Sequence, residues 1–490
     1  MSLSSALPTA QSALTPTSKQ TALVSRNLAG ANDPNFTRRI GSVVSGPNGS
    51  TYLSVSRSAD DALLSKYIET NSQYGSSSTL KSGLDRLSGI YSANNASGSP
   101  SALLGDLRDS LQLYASQPGN NSVGEAAVSK AVNLANALNK GTSDIQKLRQ
   151  DADNDIEDSV SNLNALLAKF ETINNRVVNG TRSGADVSDF LDQRDGLLKE
   201  ISGEIGITTM VRGDNDVVIF AESGVTLFEG SPRKVSFTPT AAFAAGTTGN
   251  QVYVDGVPLS HDTFQQPYGT GRLSGLLQLR DQTAPAYQNQ LDEIARSLVS
   301  MFAEKDQKTP PTLPDVPGLF TYSGAPAMPA DGTISPGIAG TIKVSSAYIQ
   351  SEGGSPTLLR DGGTNPANPD YVQNTSGSAG FSSRLQGLIG AINAPRSYDA
   401  NAGITGQKNL LDYSAASISS LETKRKAATE TNTYNGVLAS RAEDAISNAS
   451  GVNIDVEMQS MLQLEHSYQA SARILSAVDA MLNELMNAVK

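Results

Sequence analysis

Met461, Leu464, Tyr468, Ser471, Leu475, Val478, Leu482, Leu485 and Val489 follow one another in steps of three and four. This is a heptad seam with one polar position, Ser471, and it predicts a long C-terminal helix. Gly451 precedes the seam, and Asn453 or Asp455 can cap its start. A sparser version opens the chain: Leu3, Leu7, Ala10, Leu14, Thr17, Thr21, Val24 and Leu28. Pro8 and Pro16 interrupt that run, and each should kink or break a helix by removing a donor and crowding the preceding turn. The spacing therefore predicts one firm helix over about Thr17–Ala29, with a looser segment before it.

Between the ends the period changes twice. Leu104, Leu107, Leu111 and Tyr114 predict a helix that stops at Pro118-Gly119. Ala131, Leu134, Leu138, Gly141, Ile145, Leu148 and Ala152 then keep heptad spacing, and Ile156, Val160, Leu163, Leu167 and Phe170 resume it after a shift. Such a stutter relaxes supercoiling without ending the helix. Tyr287, Leu291, Ile294, Leu298 and Met301 supply one helical neighbour, and the Ser414–Leu438 stretch another. Over residues 205–270 the period falls to two, as in Val217-Val218-Ile219-Phe220 and Val252-Tyr253-Val254, with hairpin punctuation at Gly213-Asp214-Asn215, Ser223-Gly224 and Asp255-Gly256. Residues 306–380 are rich in Pro and Gly and read as a loop-rich insertion with few strands.

The fold class expected is thus α+β and multidomain. A long-helix, coiled-coil-like bundle formed by both termini and flanking helices carries an inserted small antiparallel β domain and a loop-rich insertion. Residues 1–60 plus 440–490 form terminal helical segments, and 61–204 plus 271–305 plus 381–439 the helical bundle. Residues 205–270 form the β domain and 306–380 the insertion. An isolated amphipathic helix is marginal in water, so the two terminal seams need partners: each other, neighbouring copies, or both.

Composition narrows the chemistry. Of 490 residues, 48 are acidic and 37 basic, a net charge of −11 that disfavours nucleic acid as a partner. There is no cysteine, so no disulfide and no thiolate site, and His261 and His466 are too far apart for a multi-histidine metal centre. The N-terminus lacks a charged, apolar leader, and no apolar run is long enough to insert in a membrane.

Candidate chemistry is sparse. Asp151, Asp153 and Asp155 alternate as at the start of a calcium loop, but Ile156 and Asn162 stand where its Gly and Glu are required, so the run reads as the solvated face of a long helix. Asp192, Arg194 and Asp195 read as a helix cap or structural ion pair, not an acid–base pair. No phosphate loop, nucleophile elbow or dinucleotide fingerprint occurs. Neither a catalytic site nor a cofactor is expected.

The segment Ser25-Arg-Asn-Leu-Ala-Gly-Ala-Asn-Asp-Pro-Asn-Phe-Thr-Arg-Arg resembles the N-terminal signature of the bacterial flagellar axial proteins, the rod, hook and hook-associated proteins. Asn27, Leu28, Ala29, Asn32, Pro34 and Phe36 match it, whereas Gly30, Asp33 and Asn35 depart from it. The run from Gly451 through Leu485 resembles the C-terminal helix of the same family, with Tyr468, Gln469, Ala470, Ala472 and Leu482 in place. Asp189-Phe-Leu-Asp-Gln-Arg-Asp-Gly-Leu-Leu-Lys-Glu-Ile and Gly271-Arg-Leu-Ser-Gly-Leu-Leu-Gln-Leu-Arg-Asp resemble motifs of the hook-associated branch, and Leu358-Leu-Arg-Asp-Gly-Gly is a fainter echo.

This resemblance implies an extracellular structural protein of the flagellum, an adaptor between hook and filament that leaves the cell by the flagellar export channel without a cleaved signal peptide. It implies hook protein and a second hook-associated junction protein as partners. It further implies copies of itself in a helical ring and a cytoplasmic export chaperone on the C-terminal helix. The terminal helices are expected to order on assembly. The candidate assembly residues are Val24, Asn27, Leu28, Asn32, Pro34, Phe36, Met461, Leu464, Tyr468, Leu475, Val478, Leu482, Leu485 and Val489. Two alternatives are another axial protein, such as hook protein or the second junction protein, and an extracellular carbohydrate-binding or adhesin-like protein using residues 205–380.

Overall fold

In the computed structural model, which describes residues 3–45, 51–92, 98–259, 269–364 and 368–488, the chain begins with helix α1 (Leu3–Gly30). The expected break at the prolines does not occur, because α1 runs through both Pro8 and Pro16. Each proline removes one backbone bond without ending the helix. Strands β1 (Arg39–Ser45) and β2 (Thr51–Arg57) follow as an antiparallel hairpin, with Arg39 opposite Arg57 and Ser45 opposite Thr51. The described part of residues 1–60 is therefore part helix and part sheet.

Helix α2 (Asp61–Ser92) starts where the Asp60 carboxylate accepts the Ala62 and Leu63 N–H groups. Helix α3 (Pro100–Ser116) is capped by Ser99, with Pro100 at its first position. Helix α4 (Asn121–Ser183) is continuous over 63 residues, about 95 Å long. Asn120 caps its start and Gly184 its end, the glycine at a φ of +70°. The apolar positions on both sides of the stutter, from Ala131 to Phe170, are buried, apart from half-buried Gly141. Helix α5 (Ser188–Glu204) folds back against α4.

The β insertion follows. Strands β3 (Ile207–Val211), β4 (Val217–Ala221), β5 (Thr226–Glu229) and β6 (Ser231–Pro232) form one sheet in that order. Strands β7 (Val235–Ser236), β8 (Tyr253–Val254) and β9 (Val257–Pro258) form another. The first sheet docks on α4 edge-to-face, Phe228 against Phe170 with ring centres 4.9 Å apart.

Helix α6 (Arg272–Gln278) leads through a π-helical turn at Leu279–Thr283 into α7 (Ala284–Met301), the buried partner of α4. The loop-rich insertion holds β10 (Phe320–Thr321) paired with β11 (Lys343–Val344), and the short helices α8 (Ile338–Thr341) and α9 (Leu358–Asp361). After α10 (Ser383–Asn393), helix α11 (Leu410–Ser450) runs antiparallel to α2, as Ser88–Glu422 and Gln73–Asn435 contacts fix. Only Gly451, Val452 and Asn453 separate α11 from α12 (Ile454–Ala488). The whole is α+β and multidomain, with one continuous apolar core running from the helical bundle into both insertions.

Candidate assembly interface

Helices α1 and α12 pack against each other within one chain. They run antiparallel, since the end of α1 meets the start of α12 where Asn27 reaches Glu457. Val24 and Val478 are buried between them, and Leu28, Met461, Leu464 and Leu475 are half-buried. Tyr468 stays 48% exposed. Leu482 and Leu485 lie on the last turns of α12, but their side chains, like the whole of Val489, fall outside the described residues. The Asn453 side chain accepts the Asp455 and Val456 N–H groups and caps α12, so of the two residues able to cap, Asn453 does so.

A second set of apolar side chains on α12 has no cover. Ile454, Val456, Met458, Leu462, Ile474, Met481 and Met486 are all exposed. Ile454, Met458 and Leu462 form a stripe in steps of four, and Ile474 and Met481 are seven apart on another side of the helix. Sequence reading followed the seam that α1 covers and passed over this stripe, although its spacing was present in the sequence.

At the foot of the helix pair the signature residues make a tight corner. Asn27 is buried; its Oδ1 accepts the Arg39 N–H at 2.9 Å, and its Nδ2 donates to the Arg39 carbonyl at 2.9 Å and to Glu457 at 3.1 Å. The turn Ala31–Asn35 closes through Asp33 N–H to Gly30 O and Phe36 N–H to Asp33 O. Gly30, a departure from the family pattern, has a structural reason: a Cβ there would sit 2.5 Å from the Phe36 ring. Phe36 is half-buried beneath the Arg39 guanidinium, 4.8 Å from its ring centre. Asn32 and Pro34 are exposed, and both border a cleft of about 780 Å³ that also takes in Lys199, Glu443 and Asn453.

Beneath the corner lies a ladder of charge. Asp186, Asp189, Asp192 and Asp195 recur every third residue into α5. Arg26 bridges Asp186 and Asp189; Arg39 bridges Asp189 (3.0 Å) and Asp192 (2.5 Å); Arg57 bridges Asp192 (3.3 Å) and Asp195 (2.5 Å). Arg38 adds a separate pair with buried Glu457 at 2.7 Å. Burial works against the Asp189 carboxylate, yet Arg26 and Arg39 together hold it below the usual carboxylate range. At Asp195 burial wins over Arg57 and pushes the carboxyl up.

The trio Asp192, Arg194 and Asp195 is therefore divided. The two carboxylates turn to Arg39 and Arg57, while Arg194 turns to Asn174 and the Asn215 carbonyl, tying α4 to the β insertion. The expectation of a structural ion pair fits this arrangement. The reading of residues 151–155 as wholly solvated needs correction: Asp151 pairs with Arg86 at the surface, but Asp153 is fully buried, facing Arg280 at 2.5 Å and the Thr240 N–H at 2.6 Å. A helix 63 residues long rotates its faces past different neighbours, and at Asp153 that neighbour is the π turn. Arg280 and Asp281 are the Arg-Asp of the Gly271–Asp281 motif, locked in a bidentate pair at 2.8 and 2.7 Å, and Arg360 with Asp361 repeats that pair at 2.7 Å. His466 is exposed, His261 lies outside the described residues, and among the described residues no group of three acidic or histidine side chains could hold a metal. No described helix is long and apolar enough to cross a membrane.

Residues 84–308 match the family model described as the flagellar hook-associated protein FlgK helical domain. Residues 445–488 match that of the flagellar basal body rod FlgEFG protein C-terminal segment. Flagellar hook-associated protein 1 of Bacillus subtilis is 23% identical over 469 residues, covering 89% of this chain and 85% of the relative. Its counterpart from Salmonella typhimurium is 27% identical over 214 residues, 42% of this chain; the match spans 38% of that relative's length. The structure of the flagellar hook junction protein FlgK from Burkholderia pseudomallei superposes with a TM-score of 0.55 at 14% identity, covering 78% of this chain and 99% of that one, a likeness of fold.

Proposed function

We propose, for a chain that belongs to the flagellar hook-associated protein FlgK family, a structural role in the bacterial flagellum as an adaptor at the hook–filament junction that assembles through α1 and α12. The observation that carries this reading is the bare stripe on α12. A helix with apolar side chains on two sides needs two neighbours. Helix α1 covers one side, and the exposed Ile454, Met458 and Leu462 await another. A repeated head-to-tail contact between copies would cover them in a helical ring.

The remaining partners follow from the same reading: hook protein on one side of the ring and the second hook-associated junction protein on the other. A cytoplasmic export chaperone would shield the α12 stripe before export, since an exposed apolar patch invites aggregation. A chain with no cysteine enters a narrow export channel without cross-links.

The test is removal of Ser471–Lys490, scored for folding by circular dichroism and for filaments by electron microscopy of cells. The reading expects a folded, exported chain on hooks that carry no filament. Filamented, swimming cells would overturn it.

A further inference from the structure

We infer that the arginine–aspartate ladder, closed at its top by Asn27 and Glu457, is the joint that sets the direction of the α1/α12 pair relative to the helical bundle.

Three observations carry the inference. First, the terminal pair has little else to hold it. Among the described residues α1 packs on α12 and on the hairpin β1–β2, and neither α1 nor α12 lies along a helix of the bundle. The connecting backbone is the stretch from Ala31 to Asp60 on one side and Gly451–Asn453 on the other. Such connections alone leave a hinge free.

Second, polar contacts across the gap converge on one spot. Arg26 comes from α1, Arg39 and Arg57 from facing ends of the hairpin, and all meet the four carboxylates at the start of α5. The Thr37 N–H also donates to Asp192, and the Arg38 N–H to the Ser450 carbonyl at the end of α11. Asn27 and Arg38 then carry the connection to Glu457 on α12. One network therefore touches α1, the hairpin, α5, α11 and α12.

Third, the rungs are graded. Arg39 is 0% and Asp192 8% exposed at the side chain, whereas Arg26 and Asp186 are 38% and 46% exposed. An enclosed charge pair is strongly destabilised when one partner is removed, while an exposed pair contributes little. The inner rung therefore fixes the angle, and the outer rung, open to water, allows small departures from it. An apolar joint would lack this directional preference, because apolar contact is not directional.

This inference extends the assembly reading, since the joint aims the bare stripe of α12, but its test uses the free chain and needs no assembly. The absence of cysteine makes site-specific spin labelling clean. Labels at Gln469→Cys on α12 and Glu171→Cys on α4 report the angle by pulsed electron resonance, and a second pair, Glu171→Cys with Thr423→Cys, reports the bundle alone. The otherwise unchanged chain should give one narrow α12–α4 distance. Asp192→Asn, by loss of an enclosed pair, and, separately, Glu457→Gln, by loss of the buried carboxylate that Asn27 and Arg38 share, should broaden it by about twofold or add a second distance, with the bundle distance unchanged. Asp151→Asn, at a surface pair outside the joint, should leave both distances alone. Glu457 lies outside the bundle, so its variant decides the matter if Asp192→Asn perturbs folding. An α12–α4 distance that stays narrow in Glu457→Gln, or is already broad in the unsubstituted chain, would overturn the inference.

Discussion

Asn27 and Glu457 stand 430 residues apart in sequence and 3.1 Å apart in space, the first helix of the chain donating to the last. The same amide grips the Arg39 peptide at both its N–H and its carbonyl, as a neighbouring strand would. One signature side chain thus joins α1, the hairpin and α12.

Asn27→Ala should loosen this corner without unfolding the bundle. It takes a partner from the Arg39 N–H, the Arg39 carbonyl and one Glu457 oxygen, a local cost of about 1–3 kcal/mol for each buried group left unsatisfied. Hydrogen exchange at Arg39 and its neighbours should speed up, while exchange in α4 stays as it was.

Asp153→Ala should be far more costly to the body of the molecule. It takes one of two carboxylates from buried Arg280, which keeps its bidentate pair with Asp281, and leaves the Thr240 N–H without its acceptor, a cost of about 1–3 kcal/mol for each buried group left short. Urea unfolding followed by circular dichroism measures the loss, and an Asp151→Ala variant should lose less than about 1 kcal/mol because its pair with Arg86 faces water.

The contrast between Asp151 and Asp153 shows where sequence patterns stop being informative. The heptads of α4 were legible across their stutter because one face stays buried along most of the helix. The carboxylates on its far side carried no mark of which would meet the π turn. Helix α2 went unread because Ser76, Ser77 and Ser78 stand beside Gly75 and Gly83, diluting its apolar stripe. Gly83 is needed all the same, since a Cβ there would lie 2.4 Å from Leu279. The ladder escaped notice for another reason: its carboxylates are three apart, but their arginines lie 135 to 163 residues away, and nothing local announces such a pairing. The seam of α12 was visible, whereas its bare stripe gains meaning only once α1 is seen to cover one side.

Gly271→Ala should also destabilise the bundle. Gly271 sits at a φ of +95°, and a Cβ there would fall 2.5 Å from the Ile205 Cα. Backbone strain and overpacking together predict about 2–4 kcal/mol, read as a lower midpoint in the same urea titration.

Asp292 gives the body a pH dependence of its own. Its carboxylate accepts the Gly337 and Ala339 N–H groups at 3.0 and 2.9 Å, fastening the loop-rich insertion to α7. Burial nevertheless pushes its carboxyl up to about 6, from an ordinary value of 3.8, against those bonds and with Glu293 adding to the rise. A folded value above the unfolded one means that this group's proton-linked stabilisation is full below about 3.8 and is lost as pH rises through about 6. Between pH of about 7.5 and about 5 the unsubstituted chain should therefore gain about 1 kcal/mol relative to Asp292→Asn. Thermal melts of both chains across that range check the sign; equal pH slopes would contradict it.

The role assigned to the terminal helices is tested most directly by an electron cryomicroscopy reconstruction of the hook–filament junction in cells producing this chain. The account predicts α1 and α12 at the innermost radius, still paired as in the single chain, with Ile454, Met458 and Leu462 covered by the adjacent copy. A junction in which α12 faces the outside of the tube, with that stripe still bare, would contradict it.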